Sequence, residues 1–340
     1  MNIFRYIGRR LVLAIFVLLC VSIITFILSH SMGGNPVCAW LGRLGCGNPK
    51  LVAEYNSLFH LKDPIYIQYY YYLAGLLRGN LGISPSRQFT PVLTVIQETL
   101  PYTIQIAFFA IIISIILGVF LGVLASLYHH RAADKGIRAL YLAGYSSPSF
   151  LMALLLIIVF VYFFHLLPNG GAANISLDPP TVITGIPMLD SLLEGNFAYF
   201  VSSLEHVILP SLALALTTFG VVTRVLRSSM LDTMHANYIR TARAKGCDEG
   251  TVFFKHGLRN AMIPVVTLSS LIVTWLITGT VFVESIFGYP GLGQYLVLAL
   301  QVQDYPGILA ATLIFAIIIV LANLAADIFY AVVDPQIRLG

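Results

Sequence analysis

The chain has 340 residues, of which 58% are hydrophobic and only 10% are charged, with a formal net charge of +4. A soluble domain carries about a quarter charged residues, so this composition excludes an ordinary soluble protein and indicates a polytopic membrane protein.

A helix needs about 20 predominantly apolar residues to cross about 30 Å of hydrocarbon. Six runs qualify in chain order: Leu11–Leu28, Thr103–Tyr128, Ala139–Phe164, Val207–Val222, Ile263–Val283 and Ile308–Val333. Lipid cannot satisfy exposed backbone groups, and the runs are too long and too evenly apolar for barrel strands. The expected fold is therefore all-α and integral to the membrane, with six transmembrane helices. No small-residue cleavage site precedes Gly33-Gly-Asn-Pro36, so the first run reads as a retained helix and not as a signal peptide.

Three regions follow: residues 1–30 with the first helix, a segment over 31–100, and a five-helix core over 101–340 interrupted by a long loop at about 224–262. The 31–100 segment is polar and aromatic, with a tyrosine-rich helical patch from Tyr66 to Leu77 between Asn-Pro, Asp-Pro and Arg78-Gly-Asn-Leu-Gly82 turns. It is expected to form a small cap. Cys38 and Cys46 lie within it, and the spacing accommodates either a disulfide or two free thiols. In the second run, Gly118-x-x-x-Gly122 allows close helix packing, as do Ala322, Ala325 and Ala326 in the sixth. The third run contains Gly144-Tyr-Ser-Ser-Pro-Ser149, where Pro148 should kink the helix. Tyr145, Ser146, Ser147 and Ser149 are candidates to line a polar pathway there, although serines that cap freed carbonyls fit the pattern equally. Asn174-Ile-Ser176 is a glycosylation sequon, meaningful only where that machinery exists.

Orientation follows from the basic residues. With both termini in the cytoplasm, Arg5, Arg9, Arg10, Arg131, Lys135, Arg138, Arg338 and the seven Lys/Arg of 224–262 are inside, fourteen of nineteen. The other five lie in the 31–100 segment, which is long enough to translocate regardless of charge.

The sequence shows no sign of carrying a reaction. No lysine precedes Ser or Thr, which excludes a Gly-x-x-x-x-Gly-Lys-[Ser/Thr] nucleotide loop. No His-Glu-x-x-His zinc pattern occurs, Pro148 breaks a Gly-x-Ser-x-Gly elbow, and the His129-His130 pair reads as a membrane-edge feature, not a metal site. Asp327 is the one ionisable residue read inside a span, too little for a proton relay. Glu284, near the outer end of the fifth run, is a further pathway candidate or a solvated acid. Active transport through this chain would need an ATPase on other subunits.

The most informative segment is 224–262. It is long, basic and rich in alanine, and is expected to fold as short helices that dock a partner. It contains Tyr238-Ile-Arg-Thr-Ala-Arg-Ala-Lys-Gly246 and His256-Gly-Leu-Arg-Asn-Ala-Met-Ile-Pro-Val265. Val252, Phe254 and Leu258 are spaced to bury one face of the second helix. Together with Arg227-Ser-Ser-Met230, Tyr289-Pro-Gly-Leu-Gly293, Gly34-Asn-Pro36, Arg78-Gly-Asn-Leu-Gly82 and the ending Asp334-Pro-Gln-Ile-Arg338, these motifs resemble the dipeptide/oligopeptide permeases of ABC importers from end to end.

The resemblance implies a type I ABC importer permease fold with an extracytoplasmic cap and a cytoplasmic coupling helix. It also implies a multi-pass subunit of the plasma or inner membrane, pairing with a second homologous permease, two ATP-binding subunits and an extracytoplasmic solute-binding protein. ATP and Mg would sit on the partner subunits; no cofactor, metal or nucleic acid is expected on this chain, whose remaining partner is membrane lipid. Coupling would run through Arg240, Thr241, Ala242, Arg243, Ala244, Lys245, Gly246 and Arg259, with Arg240 standing where the family's loop usually has its glutamate. Related permeases carry peptides, oligosaccharides or nickel complexes, so the solute stays open. A channel or intramembrane enzyme is the reading from another class, and the absent charged filter and catalytic pairs count against it.

Overall fold

The computed structural model describes residues 3–33 and 36–333. Gly34 and Asn35 of the first motif, the closing Asp334–Arg338 motif and the side chain of Asp327 lie outside the described residues. The described chain consists of helices joined by loops and one short hairpin, Ile83–Ser84 (β1) paired antiparallel with Thr90–Pro91 (β2).

Four helices are long and apolar enough to cross a membrane as single rods: α1 (Ile3–His30), α5 (Val92–Leu127), α9 (Phe197–Met234) and α13 (Tyr305–Val333). Two more spans are bent pairs, so the count reaches six when each pair is taken as one.

The third run differs from the single kinked helix expected. It is split into α6 (Ala132–Ser146) and α7 (Ser149–Leu156), the latter continued by a π-helical turn, Ile157–Phe163, and the two arms bend by 111°. A proline disfavours helical geometry in the residue before it. Here Ser147 (ψ 132°) and Pro148 (ψ 147°) are both extended, and two consecutive extended residues turn the chain far more than a kink does. The fourth run also differs. α9 has 38 residues, about 57 Å at 1.5 Å per residue, so residues 224–234 continue the helix instead of opening a loop. Likewise the π-helical segment Thr251–Leu258 leads directly into α11 (Arg259–Phe287), which bends by 54° over its first part. The independent part of the basic loop is thereby reduced to residues 235–250.

The chain divides into two compact units. One comprises Ile104–Tyr289 and the chain from Leu321, and is organised on α9, which packs against α6, α7, α8 (Pro187–Glu194) and α11. Small residues set these crossings. A Cβ on Gly118 would come within 2.4 Å of Val222 Cβ, and one on Gly144 within 2.4 Å of the Leu216 carbonyl oxygen. The Gly118/Gly122 pair and Gly144 thus pack on α9.

The other unit comprises the chain up to Thr103 and Pro290–Val320. Within the 31–100 segment, α2 (Pro36–Cys46), α3 (Pro49–Leu58), α4 (Ile65–Leu77) and the hairpin share a unit with α12 (Leu292–Gln301) and the start of α13. Cys38 and Cys46 are joined as a disulfide across α2. Asp304 is fully buried at the α12–α13 turn and fastens the hairpin: Ser84 Oγ, Ser86 Oγ (2.7 Å) and the Ser86 N–H (3.2 Å) donate to one carboxylate oxygen, and the Gly307 N–H (2.8 Å) donates to the other. Trp40 Nε1 donates to the Gln303 carbonyl at 3.1 Å, and Gln303 Nε2 donates to the Gly33 carbonyl at 2.7 Å.

Replacing Gly118 with Leu forces α5 off α9. Overpacking costs about 1–3 kcal/mol, so Gly118→Leu should lower the melting temperature of the detergent-solubilised protein, while Gly136→Leu, where no atom lies within 4 Å of the added Cβ, should leave it nearly unchanged.

Candidate functional site

The basic segment folds as expected into short helices, but its residues divide differently between inside and outside. In α10 (Asn237–Ala244), Ile239 and Ala242 lie three residues apart on one face and are 0% and 8% exposed. They form a small cluster with Val252, flanked by Met234 and Cys247. Ala242 thus anchors α10 to its own chain and is not available to a partner, contrary to the expected role. The opposite face exposes Tyr238, Arg240, Thr241, Arg243 and Ala244, followed by Lys245 and Gly246.

Gly246 has a conformational role. Its φ is +80°, its N–H donates to the Arg243 carbonyl at 2.9 Å, and the Cys247 N–H donates to the Ala242 carbonyl at 3.3 Å. This is a Schellman C-cap, which favours glycine at the left-handed position. No atom lies within 4 Å of a Cβ built there, so the residue is needed for the turn and not for close approach within the chain. Arg243 is partly engaged at home: its Nε and Nη2 donate to Glu249 Oε1 and Oε2 at 2.8 and 3.1 Å. Asp248 Oδ2 accepts the Thr251 N–H at 2.8 Å, and hydrogen bonding from Thr251 holds the Asp248 carboxyl below its usual pKa. Its contribution is complete at neutral pH and fades as pH falls through that lowered value.

The second short helix was expected to bury Val252, Phe254 and Leu258. It is π-helical, so residues five apart share a face, and the buried residues are Val252 and Gly257, while Phe254 is 57% exposed. Phe254, like Tyr238 at 45%, therefore presents an exposed aromatic ring. Arg259 is exposed at the start of α11. The sequence pattern missed Phe254 because it assumed an α-helical period.

A second feature escaped the sequence reading. Asp134, in the first turn of α6, is fully buried and pairs with Arg227 of α9 through Nε–Oδ1 and Nη2–Oδ2 bonds of 2.7 and 2.8 Å. The His130 N–H donates to the same carboxylate at 3.2 Å, and Arg227 Nη2 donates to His129 Nδ1 at 2.9 Å. The His129-His130 pair is thus part of a corner that locks the α5–α6 turn to α9. Among the described residues no group of His, Cys, Asp and Glu has metal-binding geometry.

The pathway candidates do not form one cluster. Tyr145 stacks with Trp275 of α11 at 6.3 Å between ring centroids. Ser147 Oγ donates to the Ala143 carbonyl at 2.8 Å, the capping role that had been weighed against a pathway. Ser146 is exposed, and Ser149 begins α7 close to Gly279 of α11. Glu284 is fully buried in α11 and is not a solvated acid. Asn174 is exposed, and its Oδ1 accepts from the Ser176 N–H and hydroxyl at 3.0 and 2.9 Å.

The described bundle thus carries a short helix with an exposed basic face between α9 and α11. Residues 114–339 match the family described as binding-protein-dependent transport system inner membrane component, and residues 3–107 match that family's N-terminal region. The chain belongs to this family. The permease is 36% identical over 320 residues to a probable D,D-dipeptide transport system permease protein of Escherichia coli (strain K12), covering 94% of this chain and 93% of the relative. It is also 36% identical to a dipeptide transport system permease protein of Alkalihalophilus pseudofirmus, covering 98% and 99%. An oligopeptide transport system permease protein of Bacillus subtilis (strain 168) is 35% identical, again covering 98% and 99%.

Removing one partner of a buried ion pair costs about 3–5 kcal/mol because the other charge is stranded. Asp134→Ala in the permease should therefore destabilise it by that order, measured by thermal inactivation in detergent, and adding Arg227→Met should recover most of the loss. A second expectation concerns the turn: Gly246→Ala should weaken α10 by about 1 kcal/mol through left-handed strain, read as faster proteolysis within 235–250.

Proposed function

We propose that the chain is the membrane-spanning permease subunit of an ATP-driven importer of di- and oligopeptides delivered by a solute-binding protein. The printed roles of the relatives support the peptide class, and the exposed basic face of α10 supports coupling to separate ATP-binding subunits. In this reading both termini and α10 are cytoplasmic, the cap is extracytoplasmic, and a second homologous permease completes the pathway. ATP and Mg sit on the two ATPase partners, and this chain carries out no hydrolysis itself.

The mechanism follows from how α10 is mounted. Ile239 and Ala242 key α10 onto Val252 and onto Met234, the last residue of α9. A displacement of α10 by the closing ATPases therefore acts on the end of α9, around which the bundle packs. Two arrangements of the bundle, each favoured by a different nucleotide state, give alternating access. Tyr238, Arg240, Lys245, Phe254 and Arg259 are the contacts we assign to the ATPase groove. Arg243 contributes after exchanging Glu249 for an acidic group of the partner. Tyr145, Ser149 and Glu284 remain candidates for the solute pathway.

Like charges across an interface cost several kcal/mol. Because the Arg240 side chain is exposed and makes no hydrogen bond or ion pair among the described residues, Arg240→Glu should insert and melt like the wild type. Its affinity for the ATPase subunits should fall by roughly a hundredfold, with loss of ATP-dependent peptide uptake in reconstituted vesicles. Wild-type uptake by this variant would remove the coupling assignment. Co-purification of the tagged chain without any ATPase under mild extraction would remove the importer itself.

A further inference from the structure

The unit that contains the cap encloses a cavity of about 250 Å³ that the transport mechanism does not use. Its wall is largely aromatic and aliphatic, with Phe26, Trp40, Phe59, Leu61, Tyr72 and Leu309 among the lining residues. Phe26 lies in the penultimate turn of α1, and Leu309 in the second turn of α13. Both are spanning helices, so the cavity sits where the bilayer ends. The rest of α1 presents apolar side chains outward up to that level, including Leu19, Ile24, Ile27 and Leu28, each between 43% and 64% exposed.

The chemistry of the lining restricts the occupant. No Asp, Glu, Lys or Arg is found among the described residues that line the cavity. His60 is engaged with Asp63 at 3.0 Å, and Gln68 is committed to His30 Nε2 at 3.1 Å and to the Asp63 carbonyl at 2.8 Å. A free dipeptide would bring an ammonium and a carboxylate into this space with no counter-charge, a costly transfer. One polar group does want a partner. The Tyr72 hydroxyl is buried and makes no hydrogen bond among the described residues. Burial, with Tyr69 adding to it, pushes the phenol up to about 12, so it is a neutral donor under all ordinary conditions. An occupant with a long apolar body and one weak acceptor satisfies the whole lining.

A dry apolar cavity of about 150 Å³ accommodates benzene, so this one takes a longer hydrocarbon segment. An adjoining cavity of about 320 Å³ shares His30, Leu61, Gln68 and Tyr305 with it and brings in Asp63, giving the polar end of an amphiphile a hydrated exit. We propose that the cap holds one acyl chain of a membrane lipid, with the chain along the aromatic wall and its ester carbonyl accepting a hydrogen bond from Tyr72. The chain would act as a fixed part of the cap's core.

Trp40 lines the cavity and is one of only two tryptophans, so it reports on the occupant directly once Trp275→Phe removes the other. The full-length chain carrying Trp275→Phe is reconstituted into phosphatidylcholine vesicles with or without bromine on the acyl chains. Emission in brominated bilayers should fall by half or more. Combining Leu309→Phe with Leu61→Phe, which narrows the cavity from two walls, should restore part of it. Each single variant is measured as well, so that misfolding of one does not decide the result. The proposal is overturned by unquenched emission, or by quenching that none of the narrowing variants reduces, which would mean that Trp40 meets bulk lipid. It is also overturned if millimolar dipeptide displaces the quencher, which would make the cavity a solute site. Failure of any of these leaves the coupling reading untouched, because no ATPase is present.

Discussion

The larger unit depends on the close approach of its helices to α9. Glycines on four surrounding segments face it: Gly118 and Gly122 of α5, Gly144 of α6, Gly257 of the π-helical segment and Gly279 of α11 would each, as alanine, come within 3.1 Å of an α9 atom. The reverse holds at Gly220 of α9, where a Cβ would lie 3.0 Å from the Tyr141 carbonyl. In lipid there is little hydrophobic drive between helices, so van der Waals contact at short range carries association. An 18-residue window of α9 is 67% buried where the corresponding window of α1 is 11% buried.

Function builds on that same helix. Because α9 extends beyond the thickness of a bilayer, its last turns leave the hydrocarbon and carry Arg227, Met230 and Met234 into the region of the short helices. Arg227 fixes the α5–α6 corner through Asp134, and Met234 seats α10. The continuous helix α9 thus joins the packed bundle to the surface proposed above for the ATPase contact. Close-packed helices transmit small displacements better than a flexible loop would. The reduction of the basic loop to a short, capped and anchored module supports the same view, since a free loop of forty residues would absorb motion instead of passing it on.

The cap unit is held by a different principle. Asp304 gathers four donors from the hairpin and the start of α13, and such a buried carboxylate is tolerated because both of its oxygens accept hydrogen bonds. This arrangement ties residues more than two hundred positions apart. It explains why the segment read as a small cap shares its compact unit with α12.

The sequence by itself determined the membrane class, the apolar runs, the presence of short helices in the basic segment and the family resemblance, because hydrophobic run length and local motif order are properties of neighbouring residues. It marked Pro148 as a disturbance without giving the size of the bend, and it left Cys38 and Cys46 open between a disulfide and two thiols. What it could not determine was anything that depends on which surfaces meet. Ala242 and Gly246 looked alike as small residues, yet one is buried against Val252 and the other closes a left-handed turn. Phe254 looked buried until the helical period proved to be π. Asp134 and Asp304 carry no sequence signal of their own, and the motif that contains Arg227 does not name its partner, since a lone charge reads as solvated until a partner from a distant segment is brought within hydrogen-bond reach. Only the tertiary structure makes those pairings, because burial and charge pairing are decided by contacts between segments far apart in the chain.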